Sequence, residues 1–369
     1  MDTTPAASRR VLVAIALLIA VVGAAAYFNA SGNGATNFDD VWQVTSNPLV
    51  TGGMTLSKLA TVLFRSSHGE YQPVKLLSYA ADYSAYPAVG VDPVFGVHLT
   101  NVVLHIVNAI LVAALAMAVV SDIGAEPLRA RGMVFVGLFA GVYFVLHPIH
   151  VESVAWLSGR KDVLSFLFMM LSFLAFRRAL FEKDRRAVTL CPVFFALALL
   201  SKATVICLPL IATVYWAIMG WRGGLRTFLL LVGLYCLAGA YALLSMYILA
   251  AAGYVAGPSG GSYWIHLLTV ARTFPFYMRQ MLLPVGLSAV YPSVAATGVF
   301  DPAVILGAVL AVLQVAVVVL VRARMVRFII LWYLLSLLPV LGILPMPVPS
   351  LAADRYAYVG SFPFALAPP

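Results

Sequence analysis

Apolar runs long enough to cross a bilayer recur from one end of the chain to the other, and nothing else constrains its fold so strongly. A helix needs about 20 apolar residues to span the hydrocarbon core. Runs near 11–28, 97–120, 132–146, 163–176, 187–200, 204–221, 227–250, 303–321, 328–344 and from 357 onward meet or approach that length. Lipid offers no partner to a free backbone amide, so apolar runs of this length must be helices. The expectation is an all-α polytopic membrane protein with about 10–11 transmembrane helices. Composition agrees: 63% of residues are hydrophobic and 10% charged, against about 25% charged in soluble domains. A soluble enzyme, a disordered tail and a nucleic-acid binder are thereby excluded. Cys191, Cys207 and Cys236 all lie inside apolar runs, with no CxxC or Cys/His cluster to suggest a metal or disulfide framework.

Basic residues predict the orientation, because short loops rich in Lys and Arg stay cytoplasmic. Arg9 and Arg10, Arg129 and Arg131, Arg177 through Arg186, Arg222 and Arg226, and Arg322 through Arg327 fall in alternate connections and hold fourteen of the 23 basic residues. The first run extends unbroken to Phe28 and a polar segment follows it, so it reads as an uncleaved anchor with a cytoplasmic N-terminus. The opposite face carries nine bases and nine acids. All six histidines, His68 among them, also fall there or in the outer parts of adjacent spans. Two outer regions stand apart. Residues 29–95 form a first loop with amphipathic pieces at Leu56–Phe64 and Leu76–Tyr83, and 251–302 form an outer loop in which 264–283, with Arg272, Pro275 and Arg279, reads as an interfacial or re-entrant helix.

Chemistry-bearing residues concentrate on that neutral face. Asp39 and Asp40 follow the first span by about ten residues; a carboxylate beside a membrane surface is a candidate general base, and a solvated loop pair or a helix cap is the plainer alternative. The stretch 147–162 packs His147, His150, Glu152, Arg160, Lys161 and Asp162 together. Both charge signs in so short a block suit an anionic group such as phosphate better than an interfacial belt. No fourth ligand accompanies the His/Glu spacing, so no metal site is assigned. Lys202, Arg279 and Arg355 are further phosphate candidates, each of which snorkelling would also explain. Tyr71, Asp354 and Tyr356 would offer aromatic faces and hydrogen-bonding groups to a sugar. His98 and Asn101, repeated by His105 and Asn108, form a polar stripe on the second span, read either as part of the site or as interhelical hydrogen bonding.

In their order, Phe38-Asp39-Asp40, Asn47-Pro48, Tyr71-Gln72-Pro73-Val74, His98-Leu99-Thr100-Asn101, His147-Pro148-Ile149-His150-Val151-Glu152, Gly159-Arg160-Lys161-Asp162 and Asp354-Arg355-Tyr356 resemble the transmembrane and tetratricopeptide-repeat O-mannosyltransferases and their bacterial relatives, of the GT-C superfamily. The resemblance implies a single GT-C-like transmembrane domain over 1–369 that takes a sugar, mannose by preference, from a polyprenyl-phosphate-linked donor on the extracytoplasmic face. It implies an inverting transfer to an acceptor hydroxyl of a protein Ser/Thr or a glycan, with Asp39 or Asp40 as base. No cofactor is required, and a divalent cation is compatible with the chemistry. Two features depart from the pattern. Gln72 stands where relatives commonly have Arg, removing one candidate phosphate ligand. Relatives continue into a repeat domain that this chain, ending at Ala367-Pro368-Pro369, is expected to lack or to have truncated. The rival reading is a transporter or flippase of lipid-linked sugar, which would show broken helices at mid-membrane rather than charge gathered at one face. The Arg-over-Lys, small-residue style suggests a bacterial inner membrane.

Overall fold

The computed structural model describes residues 9–66, 69–124, 128–182, 184–253, 257–292, 294–343 and 352–366. Outside them lie His68 of the first outer loop, Lys183 of the Arg177–Arg186 basic connection and the terminal Ala367-Pro368-Pro369. Among the described residues there are thirteen α-helices and no β-strand. The chain is an all-α polytopic membrane protein.

Five helices are long and apolar enough to cross a bilayer: α1 (Arg9–Ala26), α4 (Pro93–Ile123), α7 (Arg160–Phe181, extended outward by the turn from Leu157), α10 (Gly224–Ala251) and α12 (Pro302–Leu320). A sixth crossing arises if α5 (Ala130–Leu146) and α6 (Val151–Ala155), bent 49° apart, form one span. The bend follows from Pro148, which disfavours helical geometry in the residue before it; His147 is extended at φ −63°, ψ 121°. The remaining apolar runs fold as shorter pieces: α8 (Arg185–Leu199), α9 (Leu208–Ile218), α13 (Arg324–Leu337) and a 3₁₀ segment at Val359–Leu366. The break expected between the runs 187–200 and 204–221 is present: Leu200–Cys207 leaves the α-helical path between α8 and α9, with Lys202 extended at φ −162°, ψ 137°. The main core joins α1, α4, α5, α7, α8, α9, α10 and α13 around Phe144, Phe166, Phe173, Tyr215, Phe328 and Trp332. Outward faces of α1 and α12 leave Leu17, Val21, Val312 and Val319 largely exposed, as surfaces dissolved in lipid should be.

The first outer loop is folded rather than extended. It contributes α2 (Leu56–Phe64), α3 (Pro73–Ala88) and a short wide turn at Val41–Thr45. Their apolar sides, Val44, Val62, Leu76 and Tyr79, pack on Val97 of α4 and on Leu157. The expected helix at 264–283 is α11 (Tyr263–Leu282), lying along α12. Gly307 allows that approach: a Cβ there would run into the backbone carbonyl of Ala271. Asp-Pro pairs start two of the spans. Asp92 accepts from the amides of Val94 and Phe95 at the head of α4, and Asp301 accepts from Ala303 at the head of α12, each followed by a proline that needs no amide partner.

Candidate active site

The site grows from the first turn of α7. Consecutive helical residues project about 100° apart, so Arg160, Lys161 and Asp162 reach three different elements. Arg160 turns towards α3 and α4, pairing with Asp82 at 2.6 Å and donating to Asn101 Oδ1 at 2.5 Å, to Ser78 and to the carbonyl of Val97, with its guanidinium 5.1 Å from the Tyr79 ring. Lys161 reaches the first loop, 3.7 Å from Asp39. Asp162 meets Lys202, which the break between α8 and α9 delivers. Gly159 makes the turn that launches α7; a Cβ there would collide with the carbonyl of Ser153.

The adjacent carboxylates of the first loop have opposite environments. Asp40 is wholly buried and accepts four hydrogen bonds, from the amide and hydroxyl of Ser158 and from the amide and hydroxyl of Thr36. Thr36 is in turn held by the Trp156 indole at 3.0 Å. Asp40 therefore fastens the first loop to the turn before α7. Its neighbour Asp39 keeps 30% of its side chain exposed and faces Lys161.

Around Asp39 lies a cluster of charged side chains flanked by aromatic rings. Arg355 is bound to Glu152 through both its amide and its guanidinium, and the guanidinium lies over the rings of Trp156 and Tyr356 at 5.2 Å and 5.0 Å. Lys161 also approaches the Trp156 ring, at 6.0 Å, and Lys202 approaches the Tyr356 ring at 5.5 Å. A fourth pair, Glu70 with Lys75 at 3.2 Å, adjoins the same cluster. Burial alone would raise the Glu70 carboxyl, but Lys75, Lys161 and Lys202 more than offset it and bring it down to about 2. Burial pushes the Lys75 ammonium down to about 8, against the pull of Glu70 and Asp39. Burial also lowers Lys202, despite its bond to Asp162. Cations and carboxylates thus alternate in four pairs. The loosest of them, Lys161 with Asp39, is a cation and a carboxylate that an incoming ligand can separate without breaking a close ion pair.

Several residues expected at the site fill other positions. Arg160 is 1% exposed, with its donors engaged by α3 and α4. Asn101 holds Arg160 and donates to the carbonyl of Trp156 at 3.0 Å, which makes it a support for the turn. His98 is buried in α4 facing Asp40 and the backbone at Asn33 and Gly34. His147 contacts the carbonyl of Met281 at 3.2 Å and caps the Pro148–His150 turn, while His150 bridges the Phe144 carbonyl and the Ser361 hydroxyl. Tyr71 donates to the carbonyl of Leu63. Asp354 accepts from Tyr291 at 2.8 Å, and burial pushes its carboxyl up to about 6. Arg279 is exposed on α11 and forms no ion pair with a described residue. The geometry brings together Asp39, Glu152, Lys161, Asp162, Lys202, Arg355 and Tyr356. It adds Glu70, Lys75 and Trp156, which the motif reading left out. Their signal was present: Gln72, Lys75, Leu76 and Tyr79 occupy one buried face of α3 at helical spacing, and a lysine on such a face has a partner to meet. Among the described residues no group of three or more His, Cys, Asp or Glu is disposed to hold a metal ion.

No protein-family model matches the chain, and no solved structure matches it. Curated relatives do. Protein O-mannosyl-transferase Tmtc1 of Drosophila melanogaster is 35% identical over 176 residues, 46% of this chain and 19% of that protein. Protein O-mannosyl-transferase TMTC1 of Homo sapiens is 32% identical over 176 residues, 44% of this chain and 18% of the human protein. Protein O-mannosyl-transferase Tmtc2 of Drosophila melanogaster is 27% identical over 283 residues, 71% of this chain and 29% of its own length. The chain thus spans less than a third of the length of these relatives, and over that span it is similar to proteins named as O-mannosyl-transferases.

Proposed function

We propose that this protein is an inverting glycosyltransferase of the GT-C type that moves a sugar, mannose by preference, from a polyprenyl-phosphate-linked donor to an acceptor hydroxyl on the extracytoplasmic face. The observation that carries the reading is the pairing of an accessible carboxylate, Asp39, with Lys161 in a cluster that also holds Lys202 over Tyr356 and Arg355 over Trp156 and Tyr356. The names of the relatives support mannose as the sugar and a protein as the acceptor.

In this mechanism Asp39 takes the proton of the acceptor hydroxyl while the acceptor oxygen attacks the anomeric carbon. The bond from that carbon to the phosphate oxygen breaks on the opposite side, and its electron pair leaves with the lipid phosphate. Lys161, Lys202 and Arg355 meet the charge that grows on the phosphate, so no strong general acid is needed. Asp40 and Asn101 hold the loop and the turn in register, and Arg160 anchors α7 to α3. Trp156 and Tyr356 offer flat faces to the sugar ring.

The test is to give the purified protein in nanodiscs radiolabelled polyprenyl-phosphate mannose and cell-envelope acceptors. Transfer of label from lipid to acceptor is expected. Movement of intact labelled lipid across a liposome bilayer without its consumption would replace this reading with that of a flippase. Replacing Lys161 by Gln is expected to lower kcat about tenfold to 100-fold with an intact fold, as loss of a group that meets developing charge should.

A further inference from the structure

Beside the charged cluster, between the Val41–Thr45 turn and the first turn of α3, lies a small polar pocket lined by Gln43, Asn47, Glu70, Gln72 and Lys75. Two buried amide side chains there are incompletely bonded. Gln43, 1% exposed, accepts from Lys75 Nζ at 3.1 Å through Oε1, which fixes the orientation of the amide and leaves Nε2 a donor without a partner. Gln72, 9% exposed, has an Oε1 acceptor without a partner. Buried polar atoms are seldom left so. The space for the centre of a water-sized group is about 10 Å³, room for a single water or hydroxyl and too little for a phosphate. Both amides line this space, and a free donor with a free acceptor matches a hydroxyl, which accepts from the first and donates to the second. A phosphate oxygen could use only the donor, and Glu70 at the rim would repel it.

We propose that this pocket is the subsite for one hydroxyl of the transferred sugar, with Gln43 Nε2 donating to that hydroxyl and Gln72 Oε1 accepting from it. The inference rests on the lipid-linked donor reading above. The pocket belongs with the donor because its rim carboxylate, Glu70, interacts with Lys161 and Lys202, the cations assigned to the phosphate, and a sugar bonded to that phosphate must lie beside it. In this position Gln72 sets which sugar is taken. An arginine there would fill the hydroxyl's space and present donors only.

The experiment compares intact polyprenyl-phosphate mannose with the monodeoxy analogues at each ring position, using the parent protein and its Gln72→Leu and Gln43→Glu variants in nanodiscs. Gln72→Leu removes the acceptor; Gln43→Glu keeps the oxygen that holds Lys75 and replaces the donor. In the parent, one analogue should have kcat/KM lowered about tenfold or more, because a site built to bond a hydroxyl rejects a substrate lacking it. In both variants that one penalty should shrink to about threefold or less, with the ranking of the other analogues unchanged. Equal use of all analogues by the parent, or parental ranking kept by both variants, would overturn the subsite and leave the pocket to an ordered water. Loss of folding in both variants would assign the two amides a structural role and overturn it equally. Failure of the parent to transfer even intact mannose would overturn the donor reading itself, and the subsite with it.

Discussion

Asp39 and Asp40 show how far one position along a chain separates two roles. A dipeptide states that two carboxylates are present, but which one is buried depends on Ser158 and Thr36, about 120 and four residues away. Sequence could name this pair as candidates for the base and go no further. The same limit explains Arg160 and Lys161: adjacent cations in the sequence, one enclosed by α3 and α4 and the other facing Asp39. Asp354 gives a prediction at this scale. Its carboxyl is raised by burial, with Glu152 raising it further and Arg355 and the Tyr291 hydroxyl opposing. A carboxyl raised in the folded state contributes stability that is full below the unfolded value near 4 and is lost as pH rises through about 6. The difference in Tm between the parent and Asp354→Asn should therefore move against the parent from pH 4 to pH 7, as thermal unfolding in detergent would reveal. A constant difference across that range would contradict the assignment.

At the scale of elements, amphipathic and apolar periodicity was a faithful guide where helices are continuous. The piece expected at Leu56–Phe64 is α2, and the one read from 264 to 283 is α11. Periodicity marked the place of the break after Leu199 but not its path, which the tertiary fit of Lys202 to Asp162 and of Leu200 to the amide of Val74 sets. Breaks marked by chemistry were more legible: Pro148 bends α5 from α6, and Gly159 permits the turn into α7. Replacing Gly159 with Ala would push a methyl group into the carbonyl of Ser153, a backbone atom that cannot swing aside. Gly159→Ala is expected to destabilise by about 2 kcal/mol or more and to lower transfer by misplacing Lys161. Parental Tm and activity in that variant would contradict the tight turn.

Across the whole molecule, charge asymmetry and site location make one claim. Fourteen bases sit in alternate connections, and the charged cluster lies at the other ends of those spans. The positive-inside rule then predicts Asp39 outside and Arg185 inside. With Cys236 replaced by Ser, Asn37→Cys should react with a membrane-impermeant maleimide on intact cells, and Arg185→Cys only after permeabilisation; the reverse pattern would invert the topology. The cluster itself was only partly legible, because Glu70, Lys75 and Trp156 join it through folding of the first loop onto α4 and α7. The most direct test of the account compares sugar transfer and Tm in Asp39→Asn and Asp40→Asn. The account predicts that Asp39→Asn loses about 100-fold or more in turnover at parental Tm. Asp40→Asn should unfold earlier, losing about 3 kcal/mol of stability with its charged hydrogen bonds. Parental turnover in Asp39→Asn would contradict the account.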